Sequence, residues 1–176
     1  MKNLNQYIKE GLKVNSKSKF GKVHKYFPKT KKELEKIIAQ LIKEKGNEAD
    51  LNDIDTSKIT DMSWLFNEFI EFNGDISGWN VSNVEDMHGM FYGSIFNGDI
   101  SNWDVSNVKN MDSMFYNSKF NSDISNWDVS KVKKMDQMFA YSIFNGDISN
   151  WNVSADTSGN GIFYNSPLKN NLPKWY

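Results

Sequence analysis

The chain has 176 residues, 39% of them hydrophobic and 14% aromatic, which suffices for one domain with a hydrophobic core. It contains no Cys, which excludes disulfide bonds, thiolate chemistry and a lipidated-cysteine anchor. No run approaches the roughly 18 apolar residues of a membrane span, and the N-terminus lacks the apolar segment of a secretory signal. We therefore expect a cytoplasmic protein without a membrane span.

The formal net charge of −1 conceals opposite charges in two parts of the chain. Residues 1–46 carry 13 Lys and 4 Glu, a net charge of +9, whereas residues 47–176 carry 8 Lys and 18 acidic residues, a net charge of −10. The two parts can dock on each other or face different partners. Lysines interleaved with Phe20, Tyr26 and Phe27 are typical of single-strand binders. Because the chain has no Arg and an acidic body, we expect no nucleic-acid partner.

Two helices are predicted in residues 1–46, which we interpret as a basic helical cap. The first has an apolar stripe at helical spacing: Leu4, Tyr7, Ile8 and Leu12. Thr30 and Glu33 form a capping box that starts a second helix over about residues 31–45, and Gly46 is placed to end it. Its stripe is expected to cover the open end of the remaining chain: Leu34, Ile37, Ile38, Leu41 and Ile42.

From residue 47 onwards the sequence repeats every 24 residues. The same residue type returns at that spacing in the tryptophans Trp79, Trp103, Trp127 and Trp151. Such a period indicates stacked units, each of which needs its neighbours to bury its apolar face. We divide residues 47–176 into five coils and a broken sixth that closes the end: 47–71, 72–95, 96–119, 120–143, 144–167 and 168–176.

Spacing within a coil predicts a strand followed by a short helical return. Ile100, Trp103 and Val105 follow the strand pattern of leucine-rich repeats, with the polar Asp104 between two inward residues. Apolar residues then recur at three-residue spacing: Val108, Met111 and Met114. This predicts an α/β repeat, in which short parallel strands alternate with helical or 3-10 returns behind an N-terminal helical cap.

The unit FNGDISNWDVSNVKNMDSMFYNS, residues 96–118, resembles the repeat of the BspA-like leucine-rich-repeat surface proteins, in the branch that includes mycoplasma lipoprotein repeats. The resemblance covers about residues 47–176. It implies a right-handed leucine-rich-repeat-like solenoid, which agrees with the handedness rule for parallel crossovers. It also implies a bacterial or phage source, a role in adhesion or protein binding, and the cell surface as the alternative location.

Residues for catalysis or metal binding are few. With no Cys and only His24 and His88, the chain offers no zinc or Ser-His-Asp constellation. Each complete coil repeats an Asp, without the glycine pattern of calcium-binding repeats: Asp75, Asp99, Asp123 and Asp147. We interpret these carboxylates as acceptors for the amides of their own turns. We expect no enzymatic activity, no metal and no cofactor.

A binding surface is predicted on the outward positions of the strands. Alternation along a strand places seven polar residues there: Asn80, Asn102, Asp104, Asn126, Asp128, Asn150 and Asn152. The surface is acidic, amide-rich and flat, which favours a polar or basic protein partner over a small molecule. An equally weighted interpretation is that these residues only keep the exposed face soluble. Other candidates are the segments around Glu85, Lys109 and Lys133, and the basic N-terminal part.

The function predicted is therefore a monomeric, non-catalytic module that binds another protein. Two alternatives stay open. The first is an acidic-surfaced inhibitor or nucleic-acid mimic that acts on another protein, and the second is a surface adhesion protein. The distribution of carboxylates separates the first alternative from a general binding module, because a mimic concentrates them on one face.

Overall fold

The computed structural model describes residues 24–176. The helix predicted around Leu4 to Leu12 lies outside these residues. Within them, the chain forms one α-helix, α1 (Lys31–Lys45), and one 3-10 helix, η1 (Pro167–Asn170). Neither has the length and apolar character that crossing a membrane requires.

Helix α1 begins and ends where the capping signals predict. The Thr30 hydroxyl accepts the N–H of Glu33 at 3.3 Å, and the Glu33 carboxylate accepts the N–H of Lys29 at 2.7 Å. At the other end Gly46 has φ 85° and donates its N–H to the carbonyl of Ile42. The stripe that α1 turns to the core is fully buried: Leu34, Ile38 and Leu41.

Beyond α1 the chain forms stacked units joined by single parallel bridges. These bridges join residues 24 or 25 apart: Asp61–Asp86, Asp86–Asn110, Asn110–Lys134 and Lys134–Ser158. Alternate amides donate to the carbonyls of the next unit. In the middle of the stack the pairs are Met111 to Lys134, Ser113 to Asp136, Phe115 to Met138 and Asn117 to Ala140, at 2.8–2.9 Å. The period seen in the sequence is therefore the stacking period.

The predicted fold class is wrong. Residues 24–176 contain no strand and no sheet, so the chain is not the predicted α/β, right-handed leucine-rich-repeat-like solenoid with parallel strands and helical or 3-10 returns. The three-residue spacing instead marks turns, in which the last N–H donates to the first carbonyl: Ile100–Trp103, Val105–Val108 and Met111–Met114. The N–H groups of the intervening residues donate within these turns. Only every second residue can therefore donate its N–H to the next unit. Positive φ at Ser113 (53°) and Asn117 (51°) stops a helix from forming there.

A single core runs through the stack and includes α1. The predicted alternation holds without a strand, since Trp103 and Val105 are buried while Asp104 is exposed. Five of the six indole N–H groups donate to a carbonyl of the preceding unit at 2.7–3.3 Å: Trp79 to Leu51, Trp103 to Ile76, Trp127 to Ile100, Trp151 to Ile124 and Trp175 to Ile148. These five residues form the tryptophan row, in which the rings pack on the stack while each N–H keeps a partner.

Charge pairs join the N-terminal part to the first unit. Lys25 Nζ lies 2.6 Å from Asp53, and Lys31 Nζ lies 3.6 Å from Asp61. Lys31 also donates to the Ser63 hydroxyl at 2.8 Å. The two oppositely charged parts were expected either to dock on each other or to face different partners, and residues 24–45 dock on the first unit.

Candidate functional site

All seven residues predicted to bind a partner are exposed: Asn80, Asn102, Asp104, Asn126, Asp128, Asn150 and Asn152. Their spacing equals the stacking period, so equivalent residues lie above one another in two columns. We call this surface the Asx face. The predicted residues come together although no strand presents them, because turns hold the same outward positions.

Local hydrogen bonds hold the two carboxylates of the Asx face in place. Asp104 accepts the N–H and the hydroxyl of Ser106, at 3.2 and 2.7 Å. Asp128 accepts the N–H of Ser130 at 3.0 Å. The Ser130 hydroxyl and N–H hold the pKa of the Asp128 carboxyl below its usual value. This carboxylate is therefore charged at neutral pH and pre-oriented.

A further column of carboxylates runs beside these residues. Asp75, Asp99, Asp123 and Asp147 each accept the N–H of the serine two residues later, at 2.9 Å. Their predicted role as acceptors for turn amides is confirmed. Hydrogen bonds from Ser125 and Ser149 lower the pKa values of Asp123 and Asp147. The segments that carry this column and the Asx face contain no Lys: 75–82, 99–106, 123–130 and 147–154.

A second polar surface is a shallow charged groove of about 300 Å³, lined by Glu85, Asp86, Lys109, Asn110, Lys133 and Lys134. Lys109 pairs with Glu85 and Lys133 pairs with Asp156, each at 2.8 Å. The structure thus brings together the three residues around which the alternative site was predicted. We call this surface the charged groove.

Sequence reasoning missed an outer aromatic ladder. Its rings are Trp64, Tyr92, Tyr116, Tyr141 and Tyr164, with successive centroids 4.7–5.3 Å apart. Trp64, Tyr141 and Tyr164 are 39%, 43% and 55% exposed. The sequence does contain a pattern for this ladder, because a Tyr follows Phe91, Phe115, Phe139 and Phe163 by one or two residues.

The two histidines lie apart from each other. His88 packs its ring on Trp64 with a centroid distance of 4.9 Å, and His24 Nδ1 lies 4.0 Å from Asp55. Among residues 24–176 no cluster of three or more His, Asp or Glu side chains is arranged to hold a metal ion.

The chain matches the family described as Mycoplasma protein of unknown function, DUF285. The matched residues are 32–140 and 114–176, which together run from α1 to the last residue. Comparison with curated proteins and with solved structures gives no significant match.

Proposed function

The chain belongs to the Mycoplasma family of unknown function DUF285, and we propose that it is a non-catalytic module that binds another protein through the Asx face. The resemblance of its repeat to that of the BspA-like surface proteins supports this proposal. The observation that carries it is the exposure of all seven residues of the Asx face, in register along the stack. Stacked units that carry polar residues at the same positions offer a partner a continuous surface rather than a pocket.

The chemistry of the Asx face favours a polar, basic partner. Its carboxylates and amides offer acceptors, while local hydrogen bonds from Ser106 and Ser130 already hold Asp104 and Asp128 in place. Side chains ordered before binding lose less conformational entropy when a partner docks. Negative charge without intervening Lys also speeds the approach of a basic surface.

The distribution of charge favours a second candidate, an acidic-surfaced inhibitor or nucleic-acid mimic. Six carboxylates lie on or beside the Asx face: Asp75, Asp99, Asp104, Asp123, Asp128 and Asp147. Three of the five lysines in residues 96–143 lie instead along the charged groove, Lys109, Lys133 and Lys134, whereas Lys131 is near enough to Asp128 to help lower the pKa of that carboxyl. Partial segregation of this kind is what a surface needs to occupy the basic groove of a nucleic-acid-binding protein.

The experiment reverses charge on the Asx face in the double variant Asp104→Lys/Asp128→Lys. The immobilised protein is used to capture partners from a lysate of the source organism. We expect the folded double variant to lose the partner that the wild type retains. The matched control is Glu44→Lys/Glu48→Lys, which makes the same change in net charge at two exposed carboxylates outside this face. Equal capture by wild type and Asx-face variant would contradict the proposal.

Competition distinguishes the two candidates. Release of the captured partner by excess duplex DNA supports the mimic, whereas retention in DNA supports the general binding module. We propose a cytoplasmic location for either function. Labelling of the protein on intact cells would instead support surface adhesion.

A further inference from the structure

The charged groove and the outer aromatic ladder form one surface, which we call the return face. His88 connects them, because it lies between Asp86 and Tyr92 in sequence and packs its ring on Trp64. Within residues 24–176, three of the eight exposed large hydrophobic residues belong to the outer aromatic ladder, Trp64, Tyr141 and Tyr164, and three more follow ladder residues by two to six positions in sequence, Ile70, Ile95 and Ile143. Exposed apolar residues gathered on one face indicate an interaction surface.

Charge on the return face changes sign along the stack. Exposed or partly exposed acids occupy the first two units: Asp61, Glu68, Glu71, Glu85 and Asp86. Exposed lysines occupy the later units: Lys109, Lys119, Lys133, Lys134 and Lys169. Pairs within the chain occur at both ends, Lys31 with Asp61, Lys109 with Glu85 and Lys133 with Asp156, but on this face the acids outnumber the lysines in the first two units and the lysines outnumber the acids in the later ones. The face is therefore acidic at one end and basic at the other.

We propose that the return face binds the same face of a second copy of this chain, antiparallel, about a two-fold axis through the unit 96–119. Asp86 and Lys134 each lie 24 residues from Asn110, on opposite sides of it. An axis at Asn110 therefore places Asp86 of one copy opposite Lys134 of the other, and each Asn110 faces its own copy. It likewise brings Glu85 towards Lys133, which pair with Lys109 and Asp156 of their own chain. Lys109 then lies near its own copy, with its charge balanced by Glu85 of the same chain. Self-complementarity of this kind is what a two-fold interface requires.

The shared stacking period keeps these pairs in register along the whole face. Both copies have the same spacing between units, so a match at one pair of units is repeated at the next. Exposed ion pairs contribute little each, and here they fix the antiparallel orientation. Affinity comes from the outer aromatic ladder, because Tyr and Trp are enriched at the centres of protein interfaces. In this arrangement the Asx faces of both copies stay free.

Sedimentation equilibrium over a range of protein concentrations tests the proposal. We expect the wild type to approach twice its 20.4 kDa monomer mass. Glu85→Lys and Lys133→Glu, each alone, should weaken the dimer about tenfold or more, because each places like charges at two symmetric positions. The combined variant Glu85→Lys/Lys133→Glu restores opposite charges across the axis, and we expect it to recover most of the affinity.

Two controls complete the experiment. Asp104→Lys/Asp128→Lys reverses charge on the Asx face and should leave the dimer unchanged, and thermal unfolding by circular dichroism checks that every variant folds. A Tyr116→Ser variant should weaken the dimer at low and at high salt, since its contribution is apolar. A wild type that stays monomeric at all concentrations would overturn the proposal. A combined variant no stronger than the single ones would overturn the antiparallel arrangement.

Discussion

At the scale of single residues, the stack depends on two columns with left-handed backbone. In the first, φ lies between 53° and 63°: Trp64, Gly89, Ser113, Gln137 and Gly161. In the second, φ lies between 51° and 65°: Gly93, Asn117, Tyr141 and Asn165. Alternate amides must point at the next unit, and this conformation turns them there. Gly89 is required for a second reason, because a Cβ at this position would lie 2.7–2.8 Å from the ring of Trp64. At Gly161 the nearest atoms would be 3.8 Å away, so only the backbone favours glycine there.

Gln137→Gly should therefore stabilise the protein. Gln137 is exposed and has φ 56°, so its side chain imposes backbone strain without occupying the core. Relief of that strain outweighs the entropy that glycine adds to the unfolded chain, and we expect a gain of roughly 0.5–1 kcal/mol in the free energy of unfolding. Urea denaturation measures it. Gln137→Ala removes the same side chain but keeps a Cβ, and a comparable gain in that control would show that strain is not the cause.

At the scale of the repeating element, the tryptophan row ties each unit to the one before it. Trp127 is buried, its indole N–H donates to Ile100 at 3.1 Å, and its ring stacks on Trp151 at 6.5 Å. The same interactions recur at the end of the stack, where Trp175 stacks on Trp151 at 6.0 Å but remains partly exposed. The row thus contributes both apolar burial and a satisfied polar contact between units.

Trp127→Ala should lower the free energy of unfolding by about 3–5 kcal/mol, because it leaves a cavity with packed units on both sides. Trp127→Phe keeps most of the ring but leaves the Ile100 carbonyl without its donor, and we expect a loss of about 1–3 kcal/mol. Urea denaturation measures both values. Trp175→Ala is the comparison at an end of the row, and its loss should be the smaller one. An unchanged midpoint for Trp127→Ala would contradict the assigned register.

At the scale of the whole molecule, α1 shields the first unit of the stack. Leu34, Ile38 and Leu41 share one core cluster with Leu51 and Ile54 of that unit. Lys25 and Lys31 add charge pairs at the same junction. The boundary at residue 46 between a cap and the repeats stays a prediction, and a deletion tests it.

Deletion of residues 1–46 should expose the apolar surface of the first unit, and we expect aggregation or end-to-end association. Light scattering and sedimentation velocity measure this. Deletion of residues 1–23 alone, which keeps α1, is the control and should preserve the stability of the described part. A 47–176 fragment that does not aggregate and is as stable as the full-length chain would show that the N-terminal part is an independent module.

Much of the core and of the Asx face was predictable from the sequence because a repeat identifies equivalent positions before the fold is known. A residue that recurs every 24 positions must occupy equivalent places in equivalent units, so Trp103 and Val105 could be assigned to the core and Asp104 to the surface. The bounds of α1 were predictable for a similar reason. Thr30, Glu33 and Gly46 act within a turn of the helix ends, where capping depends on neighbours in sequence.

The type of unit and the return face were decided only by the tertiary structure. Three-residue apolar spacing is shared by strands of leucine-rich repeats, helical returns and turns, and pairing between units selects among them. That pairing places Ser113 in a left-handed conformation, for which its sequence gives no signal. It also aligns Glu85, Lys109 and Lys133, which are separated by 24 residues along the chain yet line one groove. The sequence by itself determined which residues are equivalent, and the hydrogen bonds between units decided which of them meet.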